Sequence, residues 1–186
     1  MHVEVVPYDP RWPEQFLAIR DELASALADV PVRSIEHVGS TAVPGLVAKP
    51  RLDIDVVIAA EHLTAVRNAL EATGYAWLGD RGIADRHAFR APDQDPARSV
   101  YVVIDGSLAL RNHIAVRDLL RRDDQLRDEY GRFKLDLARR EYSNGDEYAV
   151  AKSPLIQRIL AAAGFAQGEL DAIDAANRGT DVRPRG

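Results

Sequence analysis

Two pairs of residues in the first third of the chain have types and spacings suited to phosphate and metal chemistry. Gly39 and Ser40 interrupt a short apolar run, and Asp53 and Asp55 lie two positions apart in a second, strongly apolar run. Alternate side chains of a strand point to the same face, so the two carboxylates would lie about 7 Å apart. The apolar neighbours favour burial over a solvated strand edge, and a divalent cation is the usual partner that offsets such repulsion. We therefore predict a metal site at Asp53 and Asp55.

The Gly39-Ser40 pair is suited to hold an anion. Glycine lets the backbone approach a ligand closely, and adjacent N–H groups in a tight turn form an anion-binding nest. The hydroxyl of Ser40 adds a further donor. An ordinary β-turn is the alternative, because the dipeptide alone is unspecific. The Asp-x-Asp pair on the next predicted strand favours phosphate contact at Gly39 and Ser40.

Four later residues each have a functional and a structural interpretation. Lys49 is either a surface charge or a side chain that projects toward the ligand. Arg90 is either part of a solvated strand face or a donor to phosphates or a substrate carboxylate. Tyr148 and Lys152 are four positions apart and share one helix face, where they either cap a cleft or lie on the surface.

Three further basic residues are interpreted as structural. His37 is expected to be a strand residue beside the Gly-Ser turn, and His113 an ordinary residue of an amphipathic helix. Lys134 is expected to be a charge on a helix surface, as most helical lysines are.

The hydrophobic periodicity around these residues predicts an α/β protein. Asp9 is predicted to cap the first helix, with Pro10 at its first position and an apolar face that extends to about Asp29. From Leu108 onward the period is helical, which predicts a helical layer that closes one side of a cleft. The predicted strands are 33–38, 51–59, 75–78, 86–90 and 99–105, and a further helix is predicted at 61–73.

Size and composition favour one domain at 1–166. The chain has 186 residues, 46% of them hydrophobic, which is enough for a single core. The formal net charge of −5 and the absence of cysteine exclude a basic field for nucleic acid, a disulfide framework and a thiolate metal site. No signal peptide or membrane span is recognised, so we expect a cytoplasmic protein. Residues 167–186 are predicted to be a frayed or disordered tail, in which Leu170 and Ile173 could dock.

The order of several motifs resembles the GrpB-like (UPF0157) proteins of the nucleotidyltransferase superfamily. The central one is the string His-Val-Gly-Ser-Thr-Ala-Val-Pro-Gly-Leu-x-x-Lys-Pro-x-x-Asp-Ile, which begins at His37. Asp-Pro-x-Trp-Pro begins at Asp9, Arg-Asp-x-Leu at Arg117 and Tyr-x-x-x-Lys-Ser at Tyr148. This resemblance implies a nucleotidyltransferase-like mixed β-sheet flanked by helices, with a C-terminal helical layer.

The resemblance also implies an activity. Gly39 and Ser40 match the superfamily's phosphate-gripping pair, and Asp53 and Asp55 match its catalytic, metal-binding pair. The expected reaction is the Mg²⁺- or Mn²⁺-dependent transfer of a nucleotidyl group from an NTP to an acceptor. Because the chain is acidic and has no aromatic-basic stripe, we expect a small-molecule acceptor, with neither nucleic acid nor a membrane as a partner.

The chain departs from the GrpB-like pattern at two positions of one strand. GrpB-like proteins usually have a His-x-His pattern on the later strand, where this chain has Ser99 and Tyr101. Asp105 would lie about 13 Å beyond Tyr101 along the strand and is a poor replacement. The alternatives are therefore a pseudoenzyme that binds a nucleotide or phosphometabolite, or an ATP-dependent ligase or phosphoester hydrolase on the same scaffold.

Overall fold

A mixed five-stranded sheet supports the predicted site residues. The computed structural model describes residues 2–179, without the side chains of 145–146 and 179. The strands are β1 (Ser34–Val38), β2 (Leu52–Ile58), β3 (Ala76–Trp77), β4 (Arg86–Arg90) and β5 (Arg98–Ile104). Their order in the sheet is β1-β2-β5-β4-β3, and the β2–β5 pair is parallel while the other neighbouring pairs are antiparallel.

Helices cover both faces of the sheet. They are α1 (Trp12–Ala26), α2 (Leu63–Ala72), α3 (Leu108–Arg122), α4 (Asp124–Ala138), α5 (Gly145–Ala151), α6 (Ser153–Ala162) and α7 (Gln167–Gly179). Short 3-10 turns form at Ser40–Ala42 and Ala60–His62. The predicted α/β class, with a mixed sheet flanked by helices and a C-terminal helical layer, is confirmed.

The main core lies between one face of the sheet and the first two helices. Ile54 and Val56 of β2 pack there with Leu23 of α1 and Leu70 of α2. The alternate residues of β2 point to the other face, where Val57 packs with α3. Asp53 and Asp55 share that second face, because they have the same parity as Val57.

The first helix begins later than the sequence pattern predicts. Asp9 does not cap it, because the Asp9 carboxylate accepts hydrogen bonds from the backbone and side chain of Arg11 instead. Helix α1 starts at Trp12, with Pro13 in its first turn. Because Asp9 is paired with Arg11, the helix starts two residues after the predicted Pro10.

The C-terminal helices form a layer over the second face of the sheet. Leu120 of α3, Tyr130 of α4 and Ile159 of α6 belong to one buried cluster. Helix α7 docks on this layer, since Leu170 and Ile173 are buried against Leu160. The part of the predicted tail at 180–186 lies outside the described residues, and the division at residue 166 stays a prediction.

No membrane-crossing segment is found among residues 2–179, because none of the helices there is both long and apolar enough to span a bilayer.

Candidate active site

The pairing of β2 with β5 places the two aspartates beside the positions where the sequence departs from its family. Asp53 lies opposite Ser99, and Asp55 lies opposite Tyr101. On the other side of β2, Glu36 of β1 is the partner of Asp55. Paired residues on neighbouring strands project from the same face, so these side chains surround one site.

Asp55 has a histidine side chain as its partner. Its side chain is fully buried, and its Oδ2 atom lies 2.7 Å from Nδ1 of His113 on α3. Burial alone would lower the pKa of His113, but the adjacent Asp55 carboxylate raises it above its ordinary value. The interpretation of His113 as an ordinary helical residue is therefore wrong, because its ring nitrogen holds the buried Asp55 carboxylate.

Asp53 faces the open part of the site. It is partly buried, and burial raises its pKa, while His113 and Lys152 act in the opposite direction. The backbone of Gly39 lies directly against its carboxylate, because a Cβ atom added to Gly39 would lie 2.4 Å from Asp53 Oδ2. Glycine is thus required here by the approach to Asp53.

The Gly-Ser turn has a defined and buried structure. Gly39 has φ +72°, a value that favours glycine, and Ser40–Ala42 form the 3-10 turn that follows. Within residues 2–179, the N–H groups of Ser40 and Thr41 donate to no backbone carbonyl. The turn therefore offers unused donors next to the Asp53 carboxylate.

His37 holds the turn from the end of β1. Its Nε2 atom lies 2.9 Å from Thr41 Oγ1, and its ring stacks on Phe16 at a centroid distance of 4.8 Å. Burial, followed by the charges of Arg121 and Arg117, lowers the pKa of His37 to about 4. His37 is therefore neutral near pH 7 and structural, as its position in the sequence suggests.

Helix α3 braces the same turn with two arginines. Arg117 donates to the Glu36 carboxylate at 2.8 Å and to the carbonyl of His37 at 3.1 Å. Arg121 donates to the carbonyl of Ala42 at 2.8 Å. His113, Arg117 and Arg121 are spaced by four residues, so one face of α3 holds both Asp55 and the turn.

Several of the predicted residues meet around one cavity. Ser40, Lys49, Asp53, Tyr148 and Lys152 line a space of about 190 Å³, here called the lysine cavity. The Lys49 and Lys152 ammonium groups lie 5.7 Å and 4.9 Å from the centroid of the Tyr148 ring. Burial lowers the pKa of Lys152, although the nearby Asp53 opposes this shift. The cavity thus combines the Asp53 carboxylate with hydroxyl groups and several basic side chains.

Lys134 also lines this cavity, and its interpretation as a surface charge is wrong. Only 2% of Lys134 is exposed, and its Nζ atom donates to the carbonyl of Val47. Burial, together with the charge of Lys152, lowers its pKa well below the usual value. Lys134 therefore holds the loop before β2 through the Val47 carbonyl and is shielded from solvent.

Two further cavities adjoin the lysine cavity. One, of about 220 Å³, is lined by Gly39, Ser40, Asp53, His113 and Lys152 among others. The other, of about 570 Å³, contains Arg90, which does not line the lysine cavity. The structure therefore places Arg90 in a different cavity from Ser40, Lys49, Tyr148 and Lys152.

The aspartate pair fits a magnesium ion that shares its coordination with a substrate. Asp55 Oδ1 is buried and has no hydrogen-bond partner among the described residues, while Asp53 opens onto the cavity. Across residues 2–179 no cluster of three or more His, Asp or Glu side chains is arranged to hold a metal. Mg²⁺ commonly uses one or two carboxylates and completes its shell with substrate phosphates and water. The two aspartates match that donor set.

Comparison with known proteins identifies the family. The family model described as GrpB protein matches residues 2–162. The chain belongs to the GrpB family. A UPF0157 protein of Halalkalibacterium halodurans is 35% identical over 161 residues, which are 85% of this chain and 80% of that protein. A UPF0157 protein of Streptomyces coelicolor is 35% identical over 169 residues, covering 90% and 87% of the two chains.

Solved structures place this GrpB-family chain in the nucleotidyltransferase fold. The crystal structure of conserved protein GrpB from Enterococcus faecalis has a TM-score of 0.75 at 28% identity, covering 91% of this chain and 99% of that one. GLD-2 in the GLD-2/RNP-8 complex has a TM-score of 0.53 at 16% identity, covering 96% and 70% of the two chains. The resemblance to GrpB-like proteins expected from the motifs is therefore confirmed, and the likeness to GLD-2 shows the fold.

Two features of this GrpB-family site escape sequence reasoning. The role of His113 depends on the packing of α3 on β2. His113 and Asp55, which make the contact, are 58 residues apart in the sequence. Lys134 had a usable signal, because it falls four residues after Tyr130 and three before Leu137 on the buried face of α4. A lysine at such a position indicates a buried partner.

Proposed function

We propose that this chain is a Mg²⁺-dependent nucleotidyltransferase-like enzyme that transfers a nucleotidyl group from an NTP to a small-molecule acceptor. One observation carries the proposal: the lysine cavity brings Asp53 together with Ser40, Lys49 and Lys152. A phosphate needs donors and positive charge, and a metal needs carboxylate oxygens, so this arrangement serves both at once.

In this proposal the triphosphate occupies the lysine cavity. The Ser40 hydroxyl and the unused N–H groups of the turn donate to phosphate oxygens, and Lys49 and Lys152 balance their charge. Tyr148 lies between the two lysines, and its buried hydroxyl has no hydrogen-bond partner among the described residues. That hydroxyl is a further donor for a bound phosphate.

Asp53 and Asp55 would hold the metal, Mg²⁺ or Mn²⁺. When bound, the ion stabilises the negative charge that builds on the phosphate oxygens during transfer. His113 orients the Asp55 carboxylate through its Oδ2 atom, which leaves Oδ1 for coordination. Second-sphere hydrogen bonds of this kind fix the orientation of ligand side chains.

The reaction itself is a substitution at the α-phosphorus. A hydroxyl oxygen of the acceptor forms a bond to that phosphorus while the bond to the β-phosphate oxygen breaks. Pyrophosphate leaves, and the hydroxyl proton is lost to water. The contribution of the protein is positioning and charge stabilisation, which supply most of the catalysis in phosphoryl-transfer enzymes.

The name of a relative in Mycolicibacterium paratuberculosis supports the transfer of a phosphorus-containing group as the class of reaction. This relative is named dephospho-CoA kinase and is 27% identical over 180 residues, which are 82% of this chain and 44% of that protein. The aligned region is under half of that protein, so its name supports the broad class of phosphorus-group transfer more than any one substrate.

A second candidate is a nucleotide-binding protein without turnover. It is favoured by Ser99 and Tyr101, which stand opposite the two aspartates and supply no third carboxylate there. Burial raises the pKa of Tyr101, so its hydroxyl is a donor and not a base near pH 7.

Pyrophosphate release separates the two candidates. We expect the protein to release pyrophosphate when it is mixed with NTP, Mg²⁺ and a set of hydroxyl-bearing metabolites, and we expect Asp53→Asn to abolish the release. Nucleotide binding without any release would favour the second candidate. Release of AMP together with an amide or ester product would instead identify a ligase.

A further inference from the structure

We propose that a second cavity beside the aspartate pair binds an oxyanion group, phosphate or carboxylate, of the small-molecule acceptor. It is lined by Arg51, Arg81, Arg86, Arg90 and Arg98 and is here called the arginine cavity. Its volume of about 570 Å³ lies in the range of small-molecule sites. The identification of its ligand as an acceptor rests on the proposed function, whereas the anion site itself rests on the geometry alone.

The charge of the lining is the first support. Five arginines line the arginine cavity, and none of its described lining residues is acidic, although the chain as a whole has a net charge of −5. Such a local excess of one sign raises the potential inside a cavity and attracts ligands of the opposite sign.

The second support is that three of the five guanidinium groups are available. Arg98 is bound by both oxygens of Asp93, at 2.7 Å and 3.0 Å, and Arg51 donates to the carbonyl of Arg98 at 2.7 Å. These two arginines form the framework of the cavity wall.

Arg81, Arg86 and Arg90, by contrast, form no salt bridge or side-chain hydrogen bond with the part of the chain that the structure describes. Their forked donors match the geometry of phosphate and carboxylate groups, which accept two parallel hydrogen bonds.

Arg86 is the best positioned of the three. Its guanidinium stacks on the ring of Tyr101 at 4.5 Å, and its Nε atom is buried without a hydrogen-bond partner among the described residues. Stacking fixes the plane of the guanidinium, and the unused buried donor is costly unless a ligand satisfies it.

The place of the arginine cavity in the sheet identifies its ligand as the second substrate. In the sheet, β2 carries the aspartates and lies between β1 and β5. Strand β1 leads into the Gly39-Ser40 turn. On the other side of β2, residues of β5 and β4 line the arginine cavity. The lysine and arginine cavities share Arg51 and Ala149 as lining residues. A nucleotide on one side and an acceptor on the other would therefore meet at the aspartates.

The same geometry favours a small molecule over RNA. Sites for single-stranded nucleic acid combine a basic groove with aromatic rings on which bases stack. In the arginine cavity, the ring of Tyr101 is already covered by Arg86. Ala149 of α5 and Asn177 of α7 also line the cavity, so the C-terminal helical layer bounds it on the side away from the sheet.

The test is calorimetric titration of inorganic phosphate and of succinate into the full chain and its variants. Arg81→Asn and Arg90→Gln alter exposed residues, and asparagine tolerates the positive φ of 53° at position 81. We expect each single variant to weaken the binding of at least one of the two probes at least tenfold, and the double variant to remove the binding event that persists in Lys49→Gln. Circular dichroism and the melting temperature establish that the variants are folded.

Two matched variants separate this site from the rest of the protein. Arg122→Gln, at an exposed arginine at the end of α3, should leave both affinities unchanged. Lys49→Gln should weaken only binding in the lysine cavity, and should leave the effect of the arginine variants intact.

The outcomes distinguish the two proposals. Loss of probe binding in the arginine variants supports the anion site, whether or not the parent binds a nucleotide, and failure of nucleotide binding bears on the proposed function alone. Unchanged affinities for both probes in the folded double variant would overturn the site. A single-stranded RNA oligonucleotide that binds more tightly than phosphate, and loses binding in the same variants, would overturn its assignment to a small molecule.

Discussion

Gly39 combines a left-handed backbone with the closest approach of the turn to Asp53. We expect Gly39→Ala to lower the free energy of unfolding by about 1–3 kcal/mol, because both the backbone and the contact with Asp53 are strained. The same variant should lose nucleotide affinity, since either Asp53 or the turn must move. Urea unfolding and calorimetry measure the two effects.

Two further variants control this prediction. Gly79 has φ +79° but no heavy atom within 4 Å of an added Cβ, so Gly79→Ala reports the backbone strain alone. Ser40→Ala should cost about 1–2 kcal/mol of nucleotide binding and little stability, because it removes one hydrogen bond to a charged group. If Gly39→Ala and Gly79→Ala had the same free energy of unfolding, and Gly39→Ala kept the nucleotide affinity of the parent, the close contact between Gly39 and Asp53 would be ruled out.

His37 predicts how stability depends on pH. Its pKa is about 4 in the folded chain and ordinarily 6.5, so below pH 6.5 the unfolded chain takes up a proton that the folded chain does not. Its stabilising contribution is therefore complete above about pH 6.5 and is lost as the pH falls toward 4. At about pH 5 the loss is about 2 kcal/mol.

Urea unfolding at about pH 7.5 and about pH 5 checks this, with His37→Gln as the comparison. His113 contributes in the opposite sense, because its pKa is raised and its stabilisation is lost as the pH rises. The comparison with His37→Gln removes that contribution from the result. An equal loss of stability in parent and variant would rule out a buried, neutral His37.

Single residues also show where sequence reasoning succeeds. The same-face placement of Asp53 and Asp55 follows from strand alternation alone, and it holds in the structure. The requirement for glycine at position 39 follows as well, although the group it approaches in the structure is Asp53 and not a ligand. His113 could not be assigned to Asp55, because no local pattern encodes the packing of a helix on a strand 58 residues away.

At the scale of elements, α3 connects the two halves of the site. His113, Arg117 and Arg121 contact Asp55, Glu36 and Ala42, so this one helix fixes an aspartate and the Gly39-Ser40 turn together. The strands and α2 follow from hydrophobic period to within two residues at their ends, and the period after Leu108 predicts the C-terminal helices without their bounds. The start of α1 does not follow from the sequence pattern, because a local ion pair competes with the capping role of Asp9.

Helix α7 lies beyond the residues that match the GrpB family, yet it is docked on the helical layer. We expect Leu170→Ala to lower the free energy of opening of α7 by about 2–4 kcal/mol, because it leaves a cavity against Leu160. Amide hydrogen exchange of 167–179 measures this locally. Asp171→Ala, at an exposed position of the same helix, should change it by less than about 0.5 kcal/mol. Unchanged protection in Leu170→Ala would mean that the helix is not held by this contact.

At the scale of the whole molecule, charge is distributed unevenly. The chain has 29 acidic and 24 basic residues of the Asp, Glu, Lys and Arg types, but lysines and arginines line the two cavities beside the aspartates. That nucleic acid is not a partner stays a prediction from composition. The basic lining of the cavities is visible only in the fold, which gathers Lys49, Lys134 and Lys152 from three separate segments.

The central claim is that Asp53, the Gly39-Ser40 turn and the lysine cavity form one metal–nucleotide site. The most direct measurement is calorimetric titration of a non-hydrolysable NTP analogue into the full chain, with Mg²⁺ and with a chelator. We predict binding that requires Mg²⁺, is lost in Asp53→Asn, and weakens about tenfold or more in Lys49→Gln, in keeping with the loss of a charged contact. Equal binding by the folded parent and folded Asp53→Asn, or no binding of any of the four NTP analogues by the parent, would contradict the claim.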